Sequence, residues 1–236
     1  MPIVAAFEAQ EATLDLWRAV EAQHRVSTMV LVDTLDEQAL LERILDESKP
    51  PLASAPRSLH YLLFTPFRYP PLPSGSRFRG PFDPGVFYGA EAIRTACAEL
   101  GYWRWRLLND SPALPSIPPV PQTIFRTAVA GPSIDLREPP LSARQREWTD
   151  PGDYGPCQQL AREAREKGIH LIRYQSVRDP QPGACAAVLS HAAFVKPVPE
   201  ESQTWTLAVF RHRVFWRRDS IFEEESFDFD AAGWSR

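Results

Sequence analysis

The sequence predicts an α+β fold with a split, mainly antiparallel sheet flanked by helices. Three observations support this class. Helical and strand patterns follow one another without the regular strand–helix–strand rhythm of a doubly wound parallel sheet. No predicted strand is followed by a G-x-G-x-x-G fingerprint or a P-loop. The composition, 44% hydrophobic and 24% charged over 236 residues, is that of a globular chain long enough for one large domain.

Two amphipathic segments predict a helical hairpin at the N-terminus. Residues 8–24 place apolar side chains near one helical stripe, and residues 35–48 repeat that spacing until Lys49-Pro50-Pro51 ends the helix. The sequence therefore predicts a helical extension over residues 1–55, packed on a main domain formed by residues 56–236.

The main domain contains both strand and helix patterns. Helices are predicted over residues 90–108, with a face of small side chains suited to close packing on a sheet, and over residues 157–168, where Gly168 is expected to end the helix. Strands are predicted over residues 59–69, 85–89, 123–136, 169–177, 185–190 and 204–218. Residues 109–122 are proline-rich and predict a connector or a lid, and the acidic tail from Asp219 onward is expected to be peripheral.

Charge and cysteine content argue against several functional classes. The net charge of −4 argues against a nucleic-acid partner, so the basic run at 211–218 is expected to be a solvated edge strand. The three cysteines are widely spaced and the histidines lie at no ligand spacing, so no metal and no bound cofactor is expected. No apolar run approaches the ~18 residues of a membrane span, and no signal peptide is evident. We expect a cytoplasmic protein that does not contact membranes.

Residues 76–99 carry the strongest candidate site. Arg77, Tyr88 and Glu99 lie at steps of 11 residues around a Gly/Pro turn, a pattern that a core does not require. Arg77 follows Gly75-Ser76, where a guanidinium can hold a phosphate through two hydrogen bonds. Tyr88 can stack on a flat heterocycle, and Glu99 shares a helical face with alanines, where a carboxylate is unusual unless paired or functional. Taken alone, each residue type more often occupies an ordinary surface or core position.

Ser176 is a further candidate, in the stretch "YQSVRDP" at the end of a predicted strand. No G-x-S-x-G surrounds it, so we do not expect a nucleophile elbow. Its alternative role is to cap the turn at Asp179-Pro180. Arg68 in "PFRYP" has the same two interpretations as Arg77, a phosphate ligand or a surface side chain.

The ordered motifs "SRFR", "DPGVFYGAE", "TACAE" and "YQSVRDP" resemble the RES domain, a family named for its Arg, Glu and Ser. The resemblance covers roughly residues 60–195. It implies the fold of diphtheria-toxin-type ADP-ribosyltransferases and the activity of a toxin that degrades NAD, usually paired with an Xre-type antitoxin. It also implies that Arg77, Tyr88, Glu99 and Ser176 occupy the family's catalytic positions.

The resemblance implies further NAD contacts and a reaction. Arg68-Tyr69 matches an upstream Arg-Tyr position, and Ser190 lies near the segment where the family often has an Asn. The implied reaction breaks the nicotinamide–ribose bond of NAD by hydrolysis or by phosphorolysis, with inorganic phosphate as co-substrate in the second case. Transfer of ADP-ribose to a protein and a non-catalytic partner-binding module remain the alternatives. A homodimer is also implied, with the stripe Leu14–Trp17–Val20 or the strand "TWTLAVF" as its candidate surface.

Overall fold

The structure is a computed structural model that describes residues 9–22, 31–48, 58–71, 73–181, 183–222 and 224–234. It confirms the mixed α+β class with a mainly antiparallel sheet, here of eight strands. The strands are β1 Gln10–Glu21, β2 Phe87–Ala90, β3 Ile117–Asp135, β4 Leu171–Gln175, β5 Ala184–Val188, β6 Glu201–Val209, β7 Arg213–Arg218 and β8 Ser226–Asp230. The helices are α1 Leu35–Ser48, α2 Tyr61–Arg68, α3 Ile93–Asn109, α4 Gln145–Trp148 and α5 Gly155–Glu166.

The sheet divides at its long central strand, β3. The strand order is β1-β2-β5-β4-β3-β6-β7-β8, and β1 also pairs with β3, so the first five strands close into a ring. Between described strands, β3 and β4 form the one parallel pair, and the other ladders are antiparallel. β1 and β2 are joined through a single register pair, Trp17↔Ala90, so the ring has a gap on either side of that pair.

The predicted helix over residues 8–24 is wrong, because residues 10–21 form β1. Leu14 and Leu16 are buried while Thr13 and Asp15 are exposed, the period of two that a strand requires. β1 pairs with β3 continuously from Gln10↔Ser133 to Glu21↔Gln122. This long-range ladder outweighs the local helical spacing of the apolar residues. The predicted helical hairpin is therefore absent, and the described part of the N-terminal segment belongs partly to the sheet.

The second predicted helix is confirmed as α1. Thr34 Oγ1 accepts a hydrogen bond from Glu37 N at 3.2 Å, and the Glu37 carboxylate accepts from Thr34 N at 3.2 Å, which makes a capping box. Its apolar side chains were expected to point inward, but Leu40, Ile44 and Leu45 are 45%, 51% and 46% exposed. The domain boundary proposed at residue 55 lies outside the described residues and stays a prediction.

Three further segments differ from the sequence-based expectation. Residues 61–68 form helix α2 and not part of a strand, because His60 caps the helix through Leu62 N and Leu63 packs into the core. The connector predicted up to residue 122 already belongs to β3 from Ile117 onward, where it pairs with β6. The acidic tail is not peripheral, since it supplies β8 and the buried Trp234.

The two surfaces expected for a homodimer are largely buried inside this chain, although Phe210 is 40% exposed. Leu14 is 8% exposed, and Trp205 and Leu207 in "TWTLAVF" are almost fully buried. Both segments pack in the hydrophobic core of the chain itself. A homodimer would therefore use another surface. Within the described ranges, no helix is long and apolar enough to cross a membrane.

Candidate active site

A cavity of about 340 Å³ opens where β1 and β2 separate. Trp17 and Arg18 line it from β1, Tyr88 from β2, and Glu99 from α3, while Arg77 reaches it from the loop before β2. This volume lies in the range of small-molecule sites. Three of the four residues expected to be catalytic therefore face one cavity.

The loop before β2 is a tight turn that directs Arg77 inward. Ser76 N donates to Arg79 O at 2.7 Å, and Arg79 N donates back to Ser76 O at 3.1 Å. Gly75 precedes the turn with φ of 67°, and a Cβ there would lie 2.3 Å from Arg79 O. Only glycine combines that backbone conformation with such a close approach. The turn thus depends on the Gly-Ser pair recognised in the sequence.

Arg77 is held in place by contacts with uncharged groups of the described residues. Its side chain is buried, its Nη1 donates to Trp148 O at 2.8 Å, and its guanidinium lies 4.8 Å from the ring centroid of Tyr154. The Trp148 carbonyl, a side-chain hydrogen bond with Cys157 and one aromatic face orient the group, and its charge remains available. This is the arrangement expected of a side chain that binds an anion.

Tyr88 has a structural role besides lining the cavity. Its hydroxyl lies 2.8 Å from Ser76 Oγ and accepts a hydrogen bond from Phe78 N at 2.9 Å. Burial raises the pKa of Tyr88, so the phenol stays protonated at neutral pH. Tyr88 therefore locks the Arg77 turn onto β2, and its ring forms part of the cavity wall.

Glu99 and Ser176 form a direct pair. Ser176 Oγ donates to Glu99 Oε1 at 2.6 Å, and Cys185 Sγ lies 3.9 Å from the same oxygen. Burial raises the pKa of Glu99, while the Ser176 hydrogen bond and the positive charges of Arg178 and Arg77 oppose that rise. The carboxylate is therefore fixed in orientation and only partly stabilised, with its second oxygen left for other contacts.

Ser176 does not line the cavity but lies behind Glu99. Its hydroxyl oxygen accepts hydrogen bonds from Arg178 N at 3.2 Å and Asp179 N at 3.1 Å. Asp179 is fixed in turn by Thr95 Oγ1 at 2.9 Å and by Arg94 at 3.2 Å. Both interpretations of Ser176 thus apply, since it caps the turn and positions the carboxylate. The roles of these residues in a reaction stay predictions.

Arg178 is a cavity residue that the sequence-based assignment did not include. Its guanidinium lies 3.6 Å from the ring centroid of Tyr102, and its Nη2 donates to Pro151 O at 3.0 Å. Its backbone carbonyl accepts a hydrogen bond from Trp234 Nε1 at 2.7 Å. The C-terminal segment therefore holds the loop that follows β4. Arg178 lies two residues after Ser176 in "YQSVRDP". Its position next to a candidate site residue was the feature of the sequence that could have indicated a role in the site.

Arg18 is the second cavity residue that was missed. Its Nη1 donates to Tyr88 O at 2.7 Å, its guanidinium lies 4.8 Å from the ring centroid of Phe87, and its buried Nε has no hydrogen-bond partner in the described structure. Burial lowers the pKa of Arg18 to about 10, which leaves it charged at neutral pH. The sequence predicted a helix over residues 8–24, and that prediction gave no reason to expect Arg18 beside Tyr88.

The charges around the cavity favour an anionic ligand. Arg18, Arg77 and Arg178 line it together with one carboxylate, Glu99. Within the described part of the chain, none of the three guanidiniums is ion-paired with a carboxylate. An excess of buried positive charge is costly unless a ligand of opposite charge completes the site.

Three residues expected to contact NAD lie elsewhere. A second cavity adjoins the first and is lined by Ser74, Arg106 and Gly152 among others. Arg68 and Tyr69 lie at the end of helix α2, and neither lines either cavity. Tyr69 is 37% exposed. Ser190 Oγ accepts from Ala192 N at 3.2 Å and caps a short 3-10 turn at His191–Ala193, also outside both cavities. Residues 61–68 were expected in a strand, and their helical conformation accounts for the different place of the Arg-Tyr pair.

The comparison with protein families agrees with the motifs. The family model of the RES domain matches residues 51–209, which confirms the resemblance seen in the sequence. A chain in the crystal structure of the M. tuberculosis MbcT-MbcA toxin-antitoxin complex is similar at a TM-score of 0.46 and 12% identity, over 97% of this chain and 90% of that chain. No curated protein matches the chain.

Proposed function

Because the chain belongs to the RES domain family, we propose that it degrades NAD by cleaving the nicotinamide–ribose bond. The observation that carries the proposal is the cavity in which Glu99, oriented by Ser176, faces the same space as Arg18, Arg77 and Arg178. A dinucleotide supplies the two chemical groups that this arrangement suits. Its diphosphate is an anion for the guanidiniums, and its reacting ribose develops a positive charge that a carboxylate can stabilise.

The proposed chemistry follows from the charge that develops at the ribose. The bond between the nicotinamide nitrogen and ribose C1′ breaks, and its electron pair leaves with nicotinamide. Positive charge then builds on C1′ and the ring oxygen, as in glycoside hydrolysis. Glu99 stabilises that charge, and an oxygen of water or of inorganic phosphate bonds to C1′. An attacking water gives up one proton to the solvent as the bond forms, and nicotinamide leaves as a neutral molecule. The products are nicotinamide with either ADP-ribose or its 1-phosphate.

The arginines supply binding and orientation. A guanidinium that is oriented by a carbonyl or an aromatic ring, but not neutralised, can grip a diphosphate without first breaking an ion pair. Holding the diphosphate fixes C1′ relative to Glu99, which converts binding energy into correct geometry for bond cleavage. The aromatic walls Trp17, Tyr88 and Tyr174 offer apolar surfaces for the nicotinamide ring.

One experiment tests the proposed activity directly. Purified protein is incubated with NAD, with and without inorganic phosphate, and the products are separated by chromatography and identified by mass. We expect nicotinamide in both reactions, with ADP-ribose alone in the absence of phosphate. A sugar 1-phosphate that appears only with phosphate would identify a phosphorylase. If no nicotinamide is released under either condition, the proposed activity is wrong.

The same cavity is also compatible with a mono-ADP-ribosyltransferase, because the contacts to NAD do not specify the acceptor. Mass spectrometry of proteins incubated with the enzyme and NAD separates the two activities. Modified protein in amounts comparable to the released nicotinamide would favour transfer. A non-catalytic binding module is the third candidate, and intact Arg77, Tyr88 and Glu99 in one cavity argue against it.

In the cell we propose a toxin that depletes cytoplasmic NAD and is neutralised by an Xre-type antitoxin. Membership of the RES family supports this role. Induced expression in bacteria should lower the NAD pool and stop growth, while an inactive variant should do neither. The exposed leucines of α1 are one part of the described surface that suits a protein partner, either an antitoxin or a second copy of the chain.

A further inference from the structure

A second cavity of about 450 Å³ adjoins the first and shares Gly75, Trp103 and Tyr154 with it. We propose that this second cavity binds the adenosine half of the dinucleotide, an assignment that rests on the proposed function. The pair of cavities would then select a dinucleotide over a mononucleotide. Three features of the described residues support this: a common helix face, the charge at the junction, and the position of Glu99.

One face of helix α3 runs past both cavities. Glu99, Trp103 and Arg106 are spaced i, i+4 and i+7, which places them along the same side of the helix. Glu99 lines only the first cavity, Trp103 lines both, and Arg106 lines only the second. At 1.5 Å per residue, about 10 Å of helix separates Glu99 from Arg106. A ligand lying along this face would reach from the carboxylate into the second cavity.

The positive charge is concentrated where the cavities meet. Tyr154 lines both cavities, with the Arg77 guanidinium 4.8 Å from its ring centroid and Arg178 Nη2 donating to its hydroxyl at 3.3 Å. Two cations therefore converge at the junction. Trp103, which is 45% exposed, offers a flat aromatic surface beside them. The positive charge thus lies between two cavities that can each hold a ring. This arrangement matches a dinucleotide, in which a diphosphate joins two nucleosides.

The position of Glu99 decides which half enters which cavity. The bond that breaks joins nicotinamide to ribose, so the nicotinamide riboside must occupy the first cavity, where the carboxylate lies. The adenosine half is then left for the second cavity. Contacts there lie far from the reacting carbon and contribute binding energy that is equal in the ground state and the transition state.

Gly152 offers a way to block the second cavity without touching the first. It lines only the second, and a Cβ at Gly152 would meet only Asp150 Oδ1, at 3.8 Å. Gly152→Trp should fill the cavity, while Gly152→Ala is the matched control for the backbone change. Arg106→Ala is the second test variant, with Leu107→Ala as its control because Leu107 is an exposed residue of α3 outside both cavities.

The probes are AMP for the adenosine half and nicotinamide mononucleotide for the other half, each titrated by calorimetry. We expect wild type and Gly152→Ala to bind both probes. Gly152→Trp should bind nicotinamide mononucleotide but not AMP. KM for NAD should rise at least about tenfold in Gly152→Trp and rise in Arg106→Ala, with kcat nearly unchanged, because a remote binding contact is lost. Circular dichroism shows whether each variant is folded. If Gly152→Trp does not fold, AMP binding and KM of Arg106→Ala, compared with Leu107→Ala, test the assignment instead.

The outcomes separate this inference from the proposed function. If the folded Gly152→Trp protein binds AMP as well as Gly152→Ala does, or wild type does not bind AMP, the second cavity is not an adenosine site. Loss of nicotinamide mononucleotide binding in Gly152→Trp would also overturn the assignment, because the two cavities would not act separately. If wild type binds AMP in the predicted way but releases no nicotinamide from NAD, the proposed activity fails while the binding assignment stands.

Discussion

Replacing Glu99 by glutamine is the most direct test of the proposed chemistry. The substitution keeps the shape of the side chain and an oxygen that can accept the 2.6 Å hydrogen bond from Ser176. It removes the negative charge that faces the cavity. Ground-state NAD should therefore still bind, because we propose that its diphosphate contacts the arginines and not Glu99. The loss should appear in kcat, since the ribose becomes cationic only as the bond breaks.

The expected magnitude follows from the electrostatics of the site. A carboxylate about 4 Å from a full positive charge, at the effective dielectric constant of ~20 that suits protein sites, contributes about 4 kcal/mol. The ribose carries only part of a charge in the transition state, and Arg77 and Arg178 lie close enough to weaken the field of Glu99. We therefore expect a loss of about 10²–10³ in kcat, the range seen when one transition-state contact is removed.

The assay measures nicotinamide released from NAD at saturating and at low substrate, which separates kcat from KM. Glu166→Gln is the matched control, because Glu166 is an exposed carboxylate at the end of α5 and lines neither cavity. Glu99→Gln activity within about threefold of wild type would refute the proposed role, since that corresponds to well under 1 kcal/mol. A large rise in KM at unchanged kcat would instead assign Glu99 to substrate binding.

Four further predictions follow from the same contacts. Arg77→Ala should raise KM for NAD at least about tenfold, because it removes an unneutralised cation that grips the diphosphate, and an unchanged KM would contradict this. Ser176→Ala should move the acid limb of the pH–kcat profile to higher pH, because its hydrogen bond lowers the pKa of Glu99; an unmoved limb would show that Glu99 does not titrate in that limb. Because the pKa of Glu99 is raised in the folded protein, the folded state binds this proton more tightly than the unfolded chain does. The ionised carboxylate therefore lowers the free energy of unfolding above the folded pKa, and this loss disappears as the pH falls. Glu99→Gln should therefore melt above wild type at neutral pH, with the difference narrowing on acidification in a thermal-shift series; a lower melting temperature at neutral pH would contradict this. Trp234→Phe keeps an aromatic ring but removes the donor to Arg178 O, so urea denaturation should show a loss of about 1 kcal/mol and NAD titration a weaker affinity. Unchanged affinity would mean that the C-terminal segment does not position Arg178.

Local patterns in the sequence determined the mixed α+β class, the helices α1, α3 and α5, and the residues of the Arg77 turn. These features depend on neighbours a few positions apart. A capping box starts α1, small side chains allow α3 to pack closely on the sheet, and Gly75 permits the turn that directs Arg77 inward. Glu99 and Ser176 could be identified from the sequence as candidate site residues because their residue types and order match the family motifs. A reaction that needs a carboxylate and a hydroxyl also leaves few other residue types as candidates.

Only the tertiary structure decided which distant residues meet. β1 is a strand because β3 pairs with it along its whole length, a contact more than a hundred residues away that local apolar spacing does not encode. Arg18 faces the cavity as a consequence of that pairing, and Arg178 does so because Trp234 and Tyr102 hold its loop. Arg68, Tyr69 and Ser190 fall outside the cavities for the same reason, since the direction of a side chain depends on the conformation and packing of its backbone. The second cavity exists only where α3, the Arg77 turn and the start of α5 come together, so no single segment of the sequence could have indicated it.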